Sequence, residues 1–322
     1  MLRRTLAIGA TALATTVSLA ACGDNEPSAA EPTSTNRLDV VVAFYPLQYI
    51  AERVGGDAVT VTNLAKPGAE PHDLELSPQQ VAEIGQADLV VHLAGFQPQV
   101  DEAIAGQAAG RAFDAATVEP LRDAAADAHD HGEEGEEHAE EDGGNHESGN
   151  AKDPHVWLDP TRLARIGDQL AARLAAAAPA SASAFTERAK ALHADLDTLD
   201  AEFATGLETC QRREIVTSHA AFGYLAERYH LEQIGISGLS PEDEPPARRL
   251  ADVAEEAREH AATTIFFETL VSPKVAETIA REAGAKTAVL DPIEGLRPGD
   301  TGDYLSIMRD NLAALRTALG CQ

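Results

Sequence analysis

Basic residues are scarce in this sequence. Lys and Arg total 25 against 53 Asp and Glu, a formal net charge of −28 over 322 residues. Nucleic-acid binders need a cationic footprint, and this balance excludes that class. An acidic surface suits a soluble protein or one that draws cations. Cysteine is nearly absent: 3 residues are too few for a disulfide scaffold or a cysteine-rich metal cluster. The apolar run at positions 6–21 falls short of the roughly 20 residues that cross a bilayer. A Gly-x-x-x-x-Gly-Lys-Ser/Thr phosphate loop is missing, as is a His-Glu-x-x-His pair. What is present is 44% hydrophobic and 24% charged, with length for about two domains.

The first residues read as an address. Arg3 and Arg4 precede the short apolar run, and small residues follow, as in a secretory signal peptide. The run ends Leu19-Ala20-Ala21-Cys22-Gly23, which resembles a bacterial lipobox, where the Cys thiol is acylated and becomes the new N-terminus. An ordinary signal peptide with a chance Cys is the alternative. As a lipobox it assigns residues 1–21 to the signal, Cys22 to the lipid anchor and 22–36 to a flexible tether rich in Pro, Ser, Thr and Ala. Cys210 and Cys321 are then left in an oxidising compartment, as a disulfide or as two buried thiols; the disulfide is the expectation. It would close a loop of about 110 residues, contribute up to roughly 4–5 kcal/mol and pin the C-terminal end.

Beyond the tether, short β-branched runs alternate with helical stretches. Strands are expected at 38–43, 58–63, 89–93 and, weakly, 111–114, with helices at 47–54, 78–86 and 98–108. A second set follows: strands at 214–217, 231–236, 263–267 and 286–290, helices at 221–229, 246–260, 273–283 and 304–319. Near-continuous apolar strands separated by helices indicate parallel α/β sheets. In the helix at 273–283, Pro273 occupies the first turn, Ser272 is a candidate N-cap and Gly284 a C-terminal cap. Between the two sets, 161–177 and 181–207 are alanine-rich and helical by propensity. Phe185, Leu192, Leu196, Leu199 and Phe203 form one apolar stripe in the second stretch, a helix roughly 40 Å long.

The expected architecture is therefore α/β: two parallel-sheet (β/α)4 lobes, at 37–178 and 209–322, joined by a long rigid helix at 179–208. Residues 123–150 interrupt the first lobe. Positions 123–147 hold eleven Asp or Glu and four histidines, His129, His131, His138 and His146, with almost nothing apolar. Such a segment cannot bury enough surface to order itself and reads as a disordered loop.

Three histidines outside that loop stand in distinctive contexts: His72 in Gly68-Ala69-Glu70-Pro71-His72, His155 in Asp153-Pro154-His155-Val156-Trp157-Leu158-Asp159-Pro160, and His219 in Ser218-His219-Ala220-Ala221-Phe222-Gly223-Tyr224. Asp291, in Leu290-Asp291-Pro292, ends a strand. Ligands of open α/β sheets bind beyond the carboxyl ends of the strands, so these four residues would meet in the cleft between lobes. Three imidazoles and a carboxylate make a tetrahedral shell suited to zinc.

Together these segments resemble the metal-binding solute-binding proteins of ABC transporters, in their zinc-uptake, ZnuA-like branch of the TroA-like family. The resemblance spans about 38–321 and includes the lipobox and the acidic His-rich insertion. It implies two α/β lobes joined by one long helix, with the ligands falling on His72, His155, His219 and Asp291. Manganese members place a glutamate where this chain has His219, so the imidazole argues for zinc. Some zinc members carry an acid immediately before the first histidine; here that position is Pro71, with Glu70 one further back, and Glu70 or a water is the rival fourth ligand. The insertion's four histidines would gather metal weakly, or the segment is a solvated charge run. Asp153 or Asp159 could accept a hydrogen bond from a ligating imidazole, and Glu268 lines the cleft. Trp157, the sole tryptophan, is expected to pack beside the site. His92, His193, His230 and His260 read as surface or core residues, and Glu242, Asp243 and Glu244 as an exposed acidic turn.

The resemblance thus implies a lipid-anchored receptor on the extracytoplasmic face of a bacterial membrane. It would pass Zn2+ to an ABC permease served by a separate ATPase, without enzymatic activity and as a monomer. A manganese or other divalent-metal receptor is the alternative, and a secreted zinc hydrolase a more distant one. Because imidazole must be neutral to bind metal, affinity is expected to fall below about pH 6.

Overall fold

Val40, Val41 and Val42 are almost wholly buried, which a strand achieves only when both faces of its sheet are covered. The computed structural model describes residues 37–124 and 151–322. In the first lobe, β1 (Leu38–Val42), β2 (Val59–Asn63), β3 (Leu89–His92) and β4 (Ala112–Asp114) form a parallel sheet in the order β2-β1-β3-β4. Its crossovers contain α1 (Tyr45–Gly55), α2 (Pro78–Gln86) and α3 (Pro98–Gln107). Ser77 and Gln80 close a reciprocal capping box on α2.

Two helices follow without a strand between them, α4 (Pro160–Ala177) and α5 (Ala182–Gly206). They pack side by side, and Gly167 permits the approach: a Cβ there would stand 3.1 Å from Leu192 Cδ2. At 25 residues α5 is roughly 37 Å long. The expected stripe from Phe185 to Phe203 is its buried face, with Ala189 added.

The second lobe repeats the first. Strands β5 (Glu214–Thr217), β6 (Glu232–Gly235), β7 (Thr264–Phe267) and β8 (Lys286–Val289) run parallel in the order β6-β5-β7-β8. Helices α6 (Gly223–Tyr229), α7 (Ala247–Glu259), α8 (Lys274–Ala283) and α9 (Tyr304–Leu319) accompany them. Helix α8 starts one residue later than expected: Pro273 sits at its N-cap, so Ser272 caps nothing, whereas Gly284 (φ 70°) ends it in the left-handed conformation.

Helix α5 touches α1 on one side and α9 on the other. One apolar cluster runs from β1 through α4 and α5 to α9, while a smaller one lies between the second sheet and helices α7 and α8. Charged pairs pin the strut at several heights: Arg53 to Asp195, Arg228 to Asp200 at 2.7 Å and Arg309 to Glu202 at 2.8 Å. Cys210, just past α5, forms a disulfide with Cys321, just past α9. Among the described residues no helix is long and apolar enough to cross a membrane. Cys22, the tether and His129, His131, His138 and His146 lie outside the described residues.

Candidate metal centre

Each sheet reverses its strand order between its two central strands, β1 and β3 in the first and β5 and β7 in the second. His219 follows β5, and Glu268 follows β7, the two strands at the second reversal. His219 is fixed through its carbonyl, which accepts from Thr217 Oγ1 (2.7 Å) and Gln233 Nε2 (3.0 Å). His72 comes from the loop after β2. Buried Gln97 donates to Pro71 O at 3.0 Å, Gly68 N donates to Leu296 O at 2.7 Å, and His72 N donates to Glu70 Oε1 at 3.1 Å. His155 precedes a short 3-10 turn over Val156–Leu158. The chain reaches it through an antiparallel bridge between Asp123 and Lys152, and Tyr224 Oη on α6 donates to Asp153 O at 3.0 Å.

These three imidazoles converge on Glu294. Glu294 Oε1 lies 3.1 Å from His155 Nε2, 3.2 Å from His219 Nε2 and 3.4 Å from His72 Nε2. The His155 and His219 Nε2 atoms are 3.3 Å apart. An ion holding four ligands tetrahedrally at about 2.0–2.1 Å separates them by roughly 3.3–3.4 Å, which these four spacings, four of the six edges of a tetrahedron, approach. All four ligand atoms lie within 4.8 Å of one another. His155, His219 and Glu294 are buried, while the His72 side chain retains 10% exposure and is the one facing solvent.

The far nitrogens of two rings are held by carboxylates. Asp153 Oδ1 is 2.8 Å from His155 Nδ1, and Glu268 Oε1 is 2.8 Å from His219 Nδ1. In the neutral rings Nδ1 therefore carries the hydrogen, and the Nε2 lone pairs face each other and Glu294 Oε1. Lone pairs packed against lone pairs require a cation between them, a proton or a metal ion. The acidities follow. Burial opposes charge on His219, but Glu294 and Glu268 outweigh it and push the imidazole up to about 10. His155 is likewise opposed by burial yet raised by Asp153 and Glu294. Burial acts to raise Glu294, but His219, His155 and His72 hold its carboxyl well below the usual range. Its second oxygen, Oε2, is buried without a hydrogen-bond partner. Burial and then the Glu294 charge push Glu70 up to about 9.

Asp291, expected as the fourth ligand, is not in this group. Its Oδ1 accepts from Ile293 N at 2.7 Å and its Oδ2 from Thr269 Oγ1 at 2.8 Å. Both oxygens thereby shape the turn that delivers Glu294 three residues later. Ile293 at its centre has φ 60°, a strained value for a β-branched side chain. Glu294 was missed because Asp291 stands at a strand's end, whereas Glu294 follows a turn whose direction no periodicity encodes. Of the two acids offered as partners for an imidazole, Asp153 serves and Asp159 does not; Asp159 caps α4 through Thr161 N. His92 and His193 lie elsewhere, paired with Asp101 and Asp168, and His230 caps the end of α6.

Two parallel α/β lobes with three imidazoles and a carboxylate converging between them define a bilobal protein with a site positioned for a metal ion. Residues 40–318 match the family described as "ZnuA: Zinc-uptake complex component A periplasmic", and the chain belongs to that family. It is 36% identical over 308 residues to the high-affinity zinc uptake system protein ZnuA of Bacillus subtilis, covering 94% of this chain and 93% of that one. It is also 36% identical to the zinc-binding lipoprotein AdcA of Streptococcus pneumoniae over 87% of this chain, but spans only 55% of that longer relative. The crystal structure of the Zn(II)-bound ZnuA-like domain of Streptococcus pneumoniae AdcA superposes with a TM-score of 0.72 at 33% identity, covering 88% of this chain and 99% of that one.

Proposed function

We propose that this protein is an extracytoplasmic zinc receptor that binds one Zn2+ through His72, His155, His219 and Glu294 and delivers it to an ABC-type importer. The observation that carries this is the convergence of three imidazole nitrogens on Glu294 Oε1 at 3.1–3.4 Å, with all four ligand atoms of this three-nitrogen, one-oxygen set within 4.8 Å of one another. Three imidazoles favour zinc over manganese, which prefers oxygen-rich shells. The metal is cargo, and the protein acts by holding it. With four protein ligands the tetrahedron is closed, leaving no position for an activated water, so the chain is not a zinc hydrolase. Permease and ATPase are separate subunits, Cys22 carries the lipid anchor, and the receptor works as a monomer.

The four loops divide the labour. Asp153 and Glu268 keep the hydrogens of His155 and His219 on Nδ1, so both Nε2 lone pairs are available to the ion. Glu294 supplies the negative charge that offsets the dication. His72, the partly exposed ligand, borders the route by which metal enters and leaves.

Elemental mass spectrometry tests this on protein offered equal, limiting Zn2+ and Mn2+. One equivalent of zinc is expected, held far more weakly against a competing chelator by both His219→Ala and Glu294→Gln. Manganese uptake, or zinc held as tightly by the Glu294→Gln protein as by the parent, would overturn the assignment.

A further inference from the structure

Trp157 is the sole tryptophan and is 1% exposed. Its ring packs edge-on against Phe44 with centroids 4.9 Å apart and lies 5.2 Å from the His155 imidazole. Packing alone would make it an ordinary core residue. Its polar atoms, however, both reach across to the second lobe. Indole Nε1 donates to Pro292 O at 2.7 Å, and its backbone carbonyl accepts from Tyr304 Oη on α9 at 2.6 Å. Pro292 stands two residues before Glu294, and the residue between them is Ile293 with φ 60°. Such backbone persists only where its surroundings over-determine it. Asn311 holds the backbone of Asp291 at the turn's start, and the restraints nearest Ile293 are the Asp291 carboxylate from within the turn and the Trp157 N–H from a segment 135 residues away.

We infer that Trp157 is a positioning residue for the metal site: its indole N–H, acting through the Pro292 carbonyl, locks the turn that aims Glu294 at His155. The same residue flanks His155 in sequence, so one side chain sets the spacing between two ligands brought by different lobes. This inference rests on Glu294 being a ligand.

Benzothienylalanine has sulfur where indole has N–H, and otherwise keeps the ring's shape. Incorporated in place of tryptophan it changes position 157 alone. Zinc affinity and release rate would be measured by competition with a chromophoric chelator in the full chain, with and without the substitution, in wild-type and Glu294→Gln backgrounds; Trp157→Phe provides a genetically encoded second variant. Losing the hydrogen bond is expected to weaken zinc binding about tenfold through faster release, and by less than about twofold once Glu294 is Gln. Unchanged affinity in the substituted protein overturns the inference. So does an equal loss in both backgrounds, which would mean that the ring merely supports the core. If Glu294→Gln alone leaves affinity unchanged, the ligand assignment fails, and this inference with it.

Discussion

Raising the pH from about 7 to about 9 should tighten zinc binding at least about a hundredfold, well beyond the range in which an ordinary histidine titrates. In the metal-free site the proton on His219 occupies the metal's place between three rings and Glu294, and Glu294 and Glu268 push that imidazole up to about 10 against the effect of burial. Below that value each zinc bound must expel the proton, so the apparent affinity climbs about tenfold per pH unit. An unperturbed imidazole, near 6.5, would give a plateau from about pH 7.5 upward. The transition expected from sequence near pH 6 thus moves upward, because the buried carboxylates stabilise the charged ring more than burial penalises it. Chelator competition from about pH 6.5 to 9 measures the slope. Calorimetry in buffers of different ionisation enthalpy counts the protons released, with about one or more expected per zinc at pH 7.5. A flat affinity above pH 7.5 with no proton released would refute the reasoning.

Glu294→Gln should weaken zinc binding by roughly 10²–10⁴-fold, the loss typical of removing one partner from a buried charged set; Asp291→Asn, acting only through the turn, should cost about tenfold, and chelator titration of both variants ranks them. The metal-free protein should melt highest at about pH 4.5, since Glu70, pushed up to about 9, loses its contribution as pH rises from its ordinary 4.5 toward that value. His219, raised above 6.5, stabilises below that value and loses its contribution as pH rises through about 10; Glu294, depressed below 4.5, stabilises above that value and loses its contribution in acid. Calorimetric scans across pH check this, and a melting temperature flat from about pH 4.5 to 9 would refute the shifts. Replacing Cys210 and Cys321 by serine should lower stability by up to about 4–5 kcal/mol, read as an earlier denaturant midpoint that reductant reproduces in the parent. Leu196→Ala, in the stripe that both lobes share, should cost about 2–5 kcal/mol and lower one cooperative transition rather than splitting it; two separated transitions would mean the lobes do not share a core.

Local chemistry made much of this protein legible before folding. Valine-rich runs and the helical stripe from Phe185 to Phe203 are consequences of periodicity, and α2 and α9 fall at the expected residues because capping groups lie beside them in sequence. His72, His155 and His219 stood out because their segments together resemble those of the metal-binding receptors, where a lone histidine at a strand's end would not have. The fourth member of the site was decided elsewhere. Asp291 and Glu294 are both acids at the end of β8, and either could face a metal ion. The choice depends on a turn in which Asp291 bonds Ile293 and Thr269, Ile293 is forced to φ 60°, and Trp157 holds the Pro292 carbonyl. The acidities were likewise beyond the sequence, since His219 departs from an ordinary imidazole only when Glu268 and Glu294 are buried against it. Residue type and spacing determine which elements form and which groups could bind; only tertiary packing, within the second lobe for His219 and between lobes for His155, brings distant carboxylates within about 3 Å of an imidazole, and at that distance in a buried site the interaction sets both geometry and charge.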